Sequence, residues 1–195
     1  MKREREIISR PTAEQLGKEL IRRTQKQEIY KAVFSSVQTL TVFAAIAVLI
    51  STLLIPVFQV KKTSMMPTLH ENDLIIFITM GEIKSGDIIA FHYSNQILIK
   101  RVIATADEWV NIDIDGVVYI NESPLLESYI SNQSFGECDL SLPLLVPERH
   151  YFVMGDNRHY SVDSRSSDIG TLSREQIVGK AIFRIWPIPR MGAIR

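Results

Sequence analysis

Ile97-Leu98-Ile99-Lys100-Arg101-Val102-Ile103-Ala104 is an aliphatic run with two adjacent cations at its centre. A short segment rich in Ile and Val reads as a β-strand. Successive side chains on a strand point to opposite faces, so Leu98, Lys100 and Val102 share one face and Ile99, Arg101 and Ile103 the other. Similar runs lie on both sides. Leu74-Ile75-Ile76-Phe77-Ile78 and Asp87-Ile88-Ile89-Ala90-Phe91 precede it, with turn residues Ser85-Gly86 between. Tyr151 to Met154 and Ile177 to Trp186 follow it. Glu108 to Ile114 and Val117 to Asn121 flank Asp115-Gly116, which predicts a hairpin closed by a type I′ turn, whose positive φ angles Asp and Gly tolerate. Residues 122–148, with Pro124, Gly136, Pro143 and Pro147, read as a long loop between strands. The pattern predicts a mainly β fold, an antiparallel sheet over residues 61–195.

Upstream the composition changes. No charged residue occurs from Ala32 to Val60, and Val42 to Leu54 (VFAAIAVLISTLL) is almost wholly apolar. About 20 apolar residues cross the hydrocarbon core of a bilayer, so this stretch is long enough. A helix apolar on every side is unusual as the core of so small a domain, and the apolar region of a cleaved signal peptide is shorter, about 7–15 residues. Residues 32–60 are therefore expected to be a retained transmembrane helix. Lys18, Arg22, Arg23, Lys26 and Lys31 precede it, whereas only Lys61 and Lys62 follow it closely. The positive-inside rule then puts residues 1–31 in the cytoplasm and residues 61–195 outside. Within 1–31, Thr12 and Gln15 have capping-box spacing after Pro11, with Leu16, Leu20 and Ile21 on one face of a short helix; a solvated leader without function fits the same residues.

The net charge of zero conceals an asymmetry: nine Lys/Arg against five Asp/Glu up to Lys31, and thirteen against seventeen from Lys61 onward. A mildly acidic main domain gives no footprint for nucleic acid. Cys138 is the single cysteine, so no intrachain disulfide or cysteine metal site can form. The four histidines contain no HExxH, and neither metal nor cofactor is expected.

Three places could carry chemistry. Ser64 lies four residues past Val60, no more than about 14 Å of extended chain from the membrane boundary; a hydroxyl there could meet a peptide bond leaving the bilayer, although a lone linker serine is as readily a turn or cap residue. Lys100 stands among aliphatic side chains, where loss of solvent disfavours the charged form and makes a base of the amine; a lysine guarding a strand edge or reaching for water has the same sequence. Gly155-Asp156-Asn157-Arg158-His159-Tyr160-Ser161-Val162-Asp163-Ser164-Arg165 packs pairable side chains directly after an apolar strand, as a hydrogen-bonded organising loop or a polar surface turn would.

Together these pieces resemble the type I signal peptidase (leader peptidase) family, in the small form of single-membrane, Gram-positive-type bacteria. Ser64-Met65-Met66-Pro67-Thr68-Leu69 is similar to the family's serine box, Lys100-Arg101-Val102-Ile103 to its lysine box, and Gly155 to Arg165 to its GDNR-x-x-S-x-DSR box. Gly86 to Phe91, Asp115 to Asn121, Glu127-Ser128-Tyr129, Ile177 to Ala181 and Arg184 to Pro187 follow the family's order, so that the likeness runs from about Val57 to the end. The resemblance implies a membrane-bound Ser–Lys endopeptidase. Ser64 would be the nucleophile and Lys100 its base. Ser161 would hydrogen-bond and orient the lysine, and Asp163 with Arg165, and Asp156 with Arg101, would be structural ion pairs. The backbone N–H of Ser64 would donate to the oxyanion. Met65 and Met66 could line a substrate pocket, dip into lipid or simply pack. The implied partners are preproteins cut at A-x-A-like sites, membrane lipid and, by proximity, the secretion translocon. Two positions depart from the family pattern: Lys62 stands where some relatives have a second oxyanion-stabilising hydroxyl, and Ala104-Thr105-Ala106-Asp107-Glu108 replaces a glycine-rich turn. The alternative is a catalytically silent, membrane-anchored module that binds or assembles exported proteins; such a homologue would be expected to lose Ser64 or Lys100.

Overall fold

In the computed structural model the described residues are 13–194, so the cap expected at Thr12 lies outside them. The chain divides into two compact units, one ending at Ile50 and the other starting at Ser51. Helix α1, Ala13–Leu54, runs through the first. It starts inside the segment read as a polar lead and stops before the Val60 expected from composition. Within it, the span Leu16–Leu49 contains an 18-residue stretch of mean hydropathy 2.0, long and apolar enough to cross a membrane. Its apolar side chains, such as Val33, Leu40 and Phe43, are exposed. Thr39 and Thr41 return their hydroxyls to the carbonyls of Ser35 and Val37, which lets polar residues lie in an apolar helix without an unpaired donor.

The second unit is mainly antiparallel β. Its strands are β1 (Val57–Gln59), β2 (Leu74–Ile78), β3 (Ile88–Tyr93), β4 (Gln96–Ala104), β5 (Trp109–Ile112), β6 (Val118–Ile120), β7 (Ser123–Pro124), β8 (Leu144–Leu145), β9 (His150–Met154), β10 (Leu172–Ser173), β11 (Ile177–Trp186) and β12 (Gly192–Ala193). The larger sheet has the order β1-β2-β11-β3-β4-β9-β10, with β12 paired to β11; the smaller is β7-β6-β5-β8. The central strands β3 and β4 pair from Ile88↔Arg101 to Tyr93↔Gln96. Three apolar clusters support this frame: one under β1 and β2 around Phe77, one around Phe91 and Val153, and one between the sheets around Val110 and Phe152.

Two turns explain themselves locally. The hairpin between β5 and β6 forms, but not with the expected type I′ turn: Asp115 does not adopt positive φ, and Gly116 alone does, at φ 86°. The Asp113 carboxylate accepts the N–H groups of Asp115 and Val117 at 3.0 and 2.9 Å. Gly116 N–H reaches the Asp113 carbonyl at 3.0 Å. This is the three-residue loop in which a glycine closes the bulge. A side chain at Gly116 would also run into the backbone of Ser134 and Phe135. After β4, Asp107 takes the left-handed position at φ 65°, and the Glu108 carboxylate accepts both the N–H and the hydroxyl of Thr105 at 2.6 and 3.0 Å. Asp tolerates that conformation better than most residues, so the turn survives without glycine.

Candidate active site

Ser64 sits in the tight turn between β1 and β2. Its neighbours anchor it: Met65 is 1% exposed and Leu69 fully buried, both packed with Ile75 and Phe77. Burying two such side chains contributes about 3–6 kcal/mol. Backbone bonds Met66 N–H to Thr63 and Leu69 N–H to Met65, at 3.0 and 2.8 Å, close the turn. From β11, Arg184 donates to the Thr68 carbonyl at 2.6 Å. Half-buried Ser64 is thus held on the surface of a packed wedge. The two methionines part here: Met65 belongs to the core, and Met66 lines an adjoining cavity.

Lys100 lies in the middle of β4 and is 3% exposed. Its Nζ donates to Ser64 Oγ at 2.6 Å. Burial pushes the lysine pKa down from 10.5 to about 8; nearby Asp163 works against that, and the Lys62 and Arg165 cations add to it. At pH 7 such a group is neutral about a tenth of the time, against less than a thousandth for a free lysine.

The loop after β9 is fastened to this pair. Asn157 donates its backbone N–H to the Ser64 carbonyl at 3.0 Å and its side-chain amide to the Thr63 carbonyl at 3.2 Å. Asp163 Oδ2 accepts Gly155 N–H at 2.9 Å. Desolvation of buried Asp163 works to raise its pKa, but the bonds and charge of Arg165, with the Gly155 N–H adding to them, outweigh it and keep the carboxyl below its ordinary range. Arg165 grips Asp163 through Nε and Nη2 at 2.8 and 3.0 Å and reaches the carbonyls of Phe135 and Arg158. Asp156 forms a bidentate pair with Arg101, at 2.9 and 2.7 Å, and also meets the Thr68 hydroxyl. Both partners are almost fully buried. Bidentate geometry is what makes such a buried pair tolerable.

One expected contact is missing. Ser161 Oγ is buried without a hydrogen-bond partner, and Lys100 Nζ bonds to Ser64 instead. The Ser161 hydroxyl lies against Gly155: a side chain there would strike Ser161 Oγ and, at 2.5 Å, the Ser64 carbonyl.

Several site residues had no role or partner assigned from the sequence. Glu127 forms a buried bidentate pair with Arg158 and accepts the Tyr129 hydroxyl at 2.7 Å. The Tyr129 ring lies 4.0 Å from the Arg101 guanidinium, a cation–π contact. These groups link the serine turn, β4 and the loop after β9. Asp73, fully buried, takes Arg184 at 3.1 Å and Arg190 at 2.8 Å beneath the serine turn. Among the described residues no cluster of His, Cys, Asp or Glu could hold a metal ion.

Residues 33–186 match the family model described as signal peptidase, peptidase S26. The chain belongs to the S26 signal peptidase family. It is 34% identical to a signal peptidase I of Bacillus licheniformis over 170 residues, 80% of this chain and 90% of that one. Against a signal peptidase I of Leptolyngbya laminosa the figures are 33% over 172 residues, 81% and 82%. Against signal peptidase I T of Bacillus subtilis they are 33% over 168 residues, 79% and 86%. The S26 match begins within α1 and takes in the serine turn, Lys100 and the loop after β9.

Proposed function

We propose that this protein is a membrane-bound endopeptidase that removes signal peptides from exported preproteins, with Ser64 as nucleophile and Lys100 as general base. The observation that carries this is the 2.6 Å contact between a buried amine and Ser64 Oγ. Its similarity to proteins named signal peptidase I supplies the substrate class.

The chemistry follows from the geometry. When Lys100 loses its proton, the contact reverses: the Ser64 hydroxyl donates to the amine lone pair and gains nucleophilicity as it attacks the scissile carbonyl. The proton moves to Nζ, and the Ser64 backbone N–H donates to the developing oxyanion. The new ammonium then protonates the leaving amine, and the acyl group stays on Ser64 Oγ. Neutral Lys100 next takes a proton from water, and the resulting hydroxide equivalent releases the acyl group as a carboxylate. Ser161, whose buried hydroxyl lies against Gly155, would accept from the ammonium in its charged phase. Asp163, Arg165, Asp156 and Arg101 hold the loop against β4 and do no proton transfer.

The chain divides by this account into a cytoplasmic segment over 1–31, a membrane anchor over 32–60 and an extracytoplasmic protease domain over 61–195. The anchor keeps Ser64 within a short tether of the bilayer, where the end of a signal peptide's apolar region and its small-residue cleavage site emerge. Membrane lipid and, by proximity, the translocon are its neighbours. The test is cleavage of a labelled preprotein by the full-length protein in detergent. Wild type is expected to cut after the A-x-A-like site, and Ser64→Ala to insert and fold but not cut. Cleavage by Ser64→Ala would assign the nucleophile elsewhere.

A further inference from the structure

Beside the serine turn lies a cavity of 550 Å³, in the range of about 300–1,000 Å³ that takes a drug-sized ligand. Its lining includes Met66, two residues past Ser64, and Asn157, whose N–H is bonded to the Ser64 carbonyl. Met66 and Pro67 are its apolar lining residues. Asn132 and Gln133, which carry amides, line it too, as do the exposed His159 and Tyr160. The two charged lining groups, Asp156 and Arg158, are buried and spent on Arg101 and Glu127. The lining left to a visitor is therefore the carbon surface of Met66 and Pro67 with residues that carry neutral amide, imidazole and phenol groups.

That surface mismatches the substrate segment before the cut. The two residues there that define an A-x-A-like site are small and follow an apolar region, so their methyl groups would leave most of the space unfilled and its polar groups without partners. The segment after the cut begins a soluble protein, whose polar side chains can answer those amides. We infer that this cavity binds the first residues of the mature protein, on the leaving side of the scissile bond, and selects uncharged polar side chains there. This rests on the peptidase function proposed above. His159 and Asn132 act as specificity residues outside the proton-transfer machinery.

The test uses full-length protein in detergent with Asn132→Leu and His159→Leu, both at exposed positions, and two preprotein panels. One panel varies the first three positions after the cut among Ser, Gln, Asp and Leu; the other varies the small residues at the first and third positions before it. In the first panel, the preference for Ser or Gln over Leu in kcat/KM is expected to fall about two- to tenfold in the variants, the factor of one neutral hydrogen bond. The ranking in the second panel should not move. A change confined to the second panel, or no change in either, would overturn the assignment. Failure of wild type to cut either panel would instead overturn the peptidase function itself.

Discussion

The backbone N–H of Gly155 is held by the Asp163 carboxylate at 2.9 Å, while the space where a Gly155 side chain would stand is filled by the Ser64 carbonyl and the Ser161 hydroxyl. One α-carbon thus spaces the serine turn from the loop that faces it. Gly155 has no positive φ; close approach alone demands glycine. In Gly155→Ala the added methyl meets backbone at 2.5 Å, and the turn must shift relative to Lys100. Displacements of about 1 Å at a reacting centre cost on the order of 100-fold. Cleavage by Gly155→Ala should drop by that order, with the thermal midpoint lowered only modestly. Near-normal cleavage would show that the spacing is not needed.

Lys100 should cost the fold stability at neutral pH. Its folded pKa of about 8 lies below the 10.5 of an ordinary lysine, so between these values the unfolded chain binds more protons and stability rises with pH. Below pH 8 the full penalty applies, about 3 kcal/mol at 1.4 kcal/mol per pH unit. Lys100→Met, inactive in cleavage, should unfold at higher denaturant than wild type at pH 7, with the gap closing towards pH 10.5. A gap independent of pH would contradict a desolvated amine.

The Glu127–Arg158 pair was illegible in the sequence and should be costly to break. Arg158→Met leaves a carboxylate buried without its partner, a loss of about 3–5 kcal/mol. Replacing both residues, with Glu127→Leu added, should recover most of it. Equal losses in single and double variants, measured by urea unfolding, would mean that the pair does not act as a unit.

How far the sequence could be read follows from what each feature depends on. Strands β2 and β11 carry dense apolar runs and start and stop where those runs do, and β9 starts one residue before its run, at His150. Their period of two needs no tertiary information. Helix α1 begins earlier than composition suggests, because exposed ion pairs such as Lys18–Glu14 at 2.8 Å suit a helix as well as they suit a polar lead. Met65 and Met66 are adjacent in a turn without periodicity, and only packing decides that one enters the core and the other the cavity. Glu127 meets Arg158 across a loop of irregular backbone, and Asp73 meets Arg184 and Arg190 from the far end of the chain. No local pattern announces such pairs. The hairpin was legible from Asp115-Gly116, but its turn was not: the Asp113 carboxylate selects the three-residue loop.

Ser161 and Asp163 should separate kinetically. Ser161→Ala removes the acceptor proposed for the ammonium form of Lys100, a charge-assisted bond worth about 1.5–3 kcal/mol. Its kcat should fall about ten- to a hundredfold, with KM nearly unchanged. Asp163→Asn should lower the unfolding midpoint as well, because Arg165 and Gly155 lose their carboxylate together. A Ser161→Ala enzyme with raised KM and unchanged kcat would make that hydroxyl a substrate contact instead.

The most direct test of the Ser64–Lys100 mechanism is the pH dependence of kcat/KM for preprotein cleavage by the wild-type protein. Neutral Lys100 is the active form, so the rate should climb tenfold per pH unit in the acid range and level off above a midpoint near 8, the pKa that burial gives the lysine. A rate that keeps rising towards pH 10.5, or one already level below pH 6, would contradict a buried lysine acting as the base.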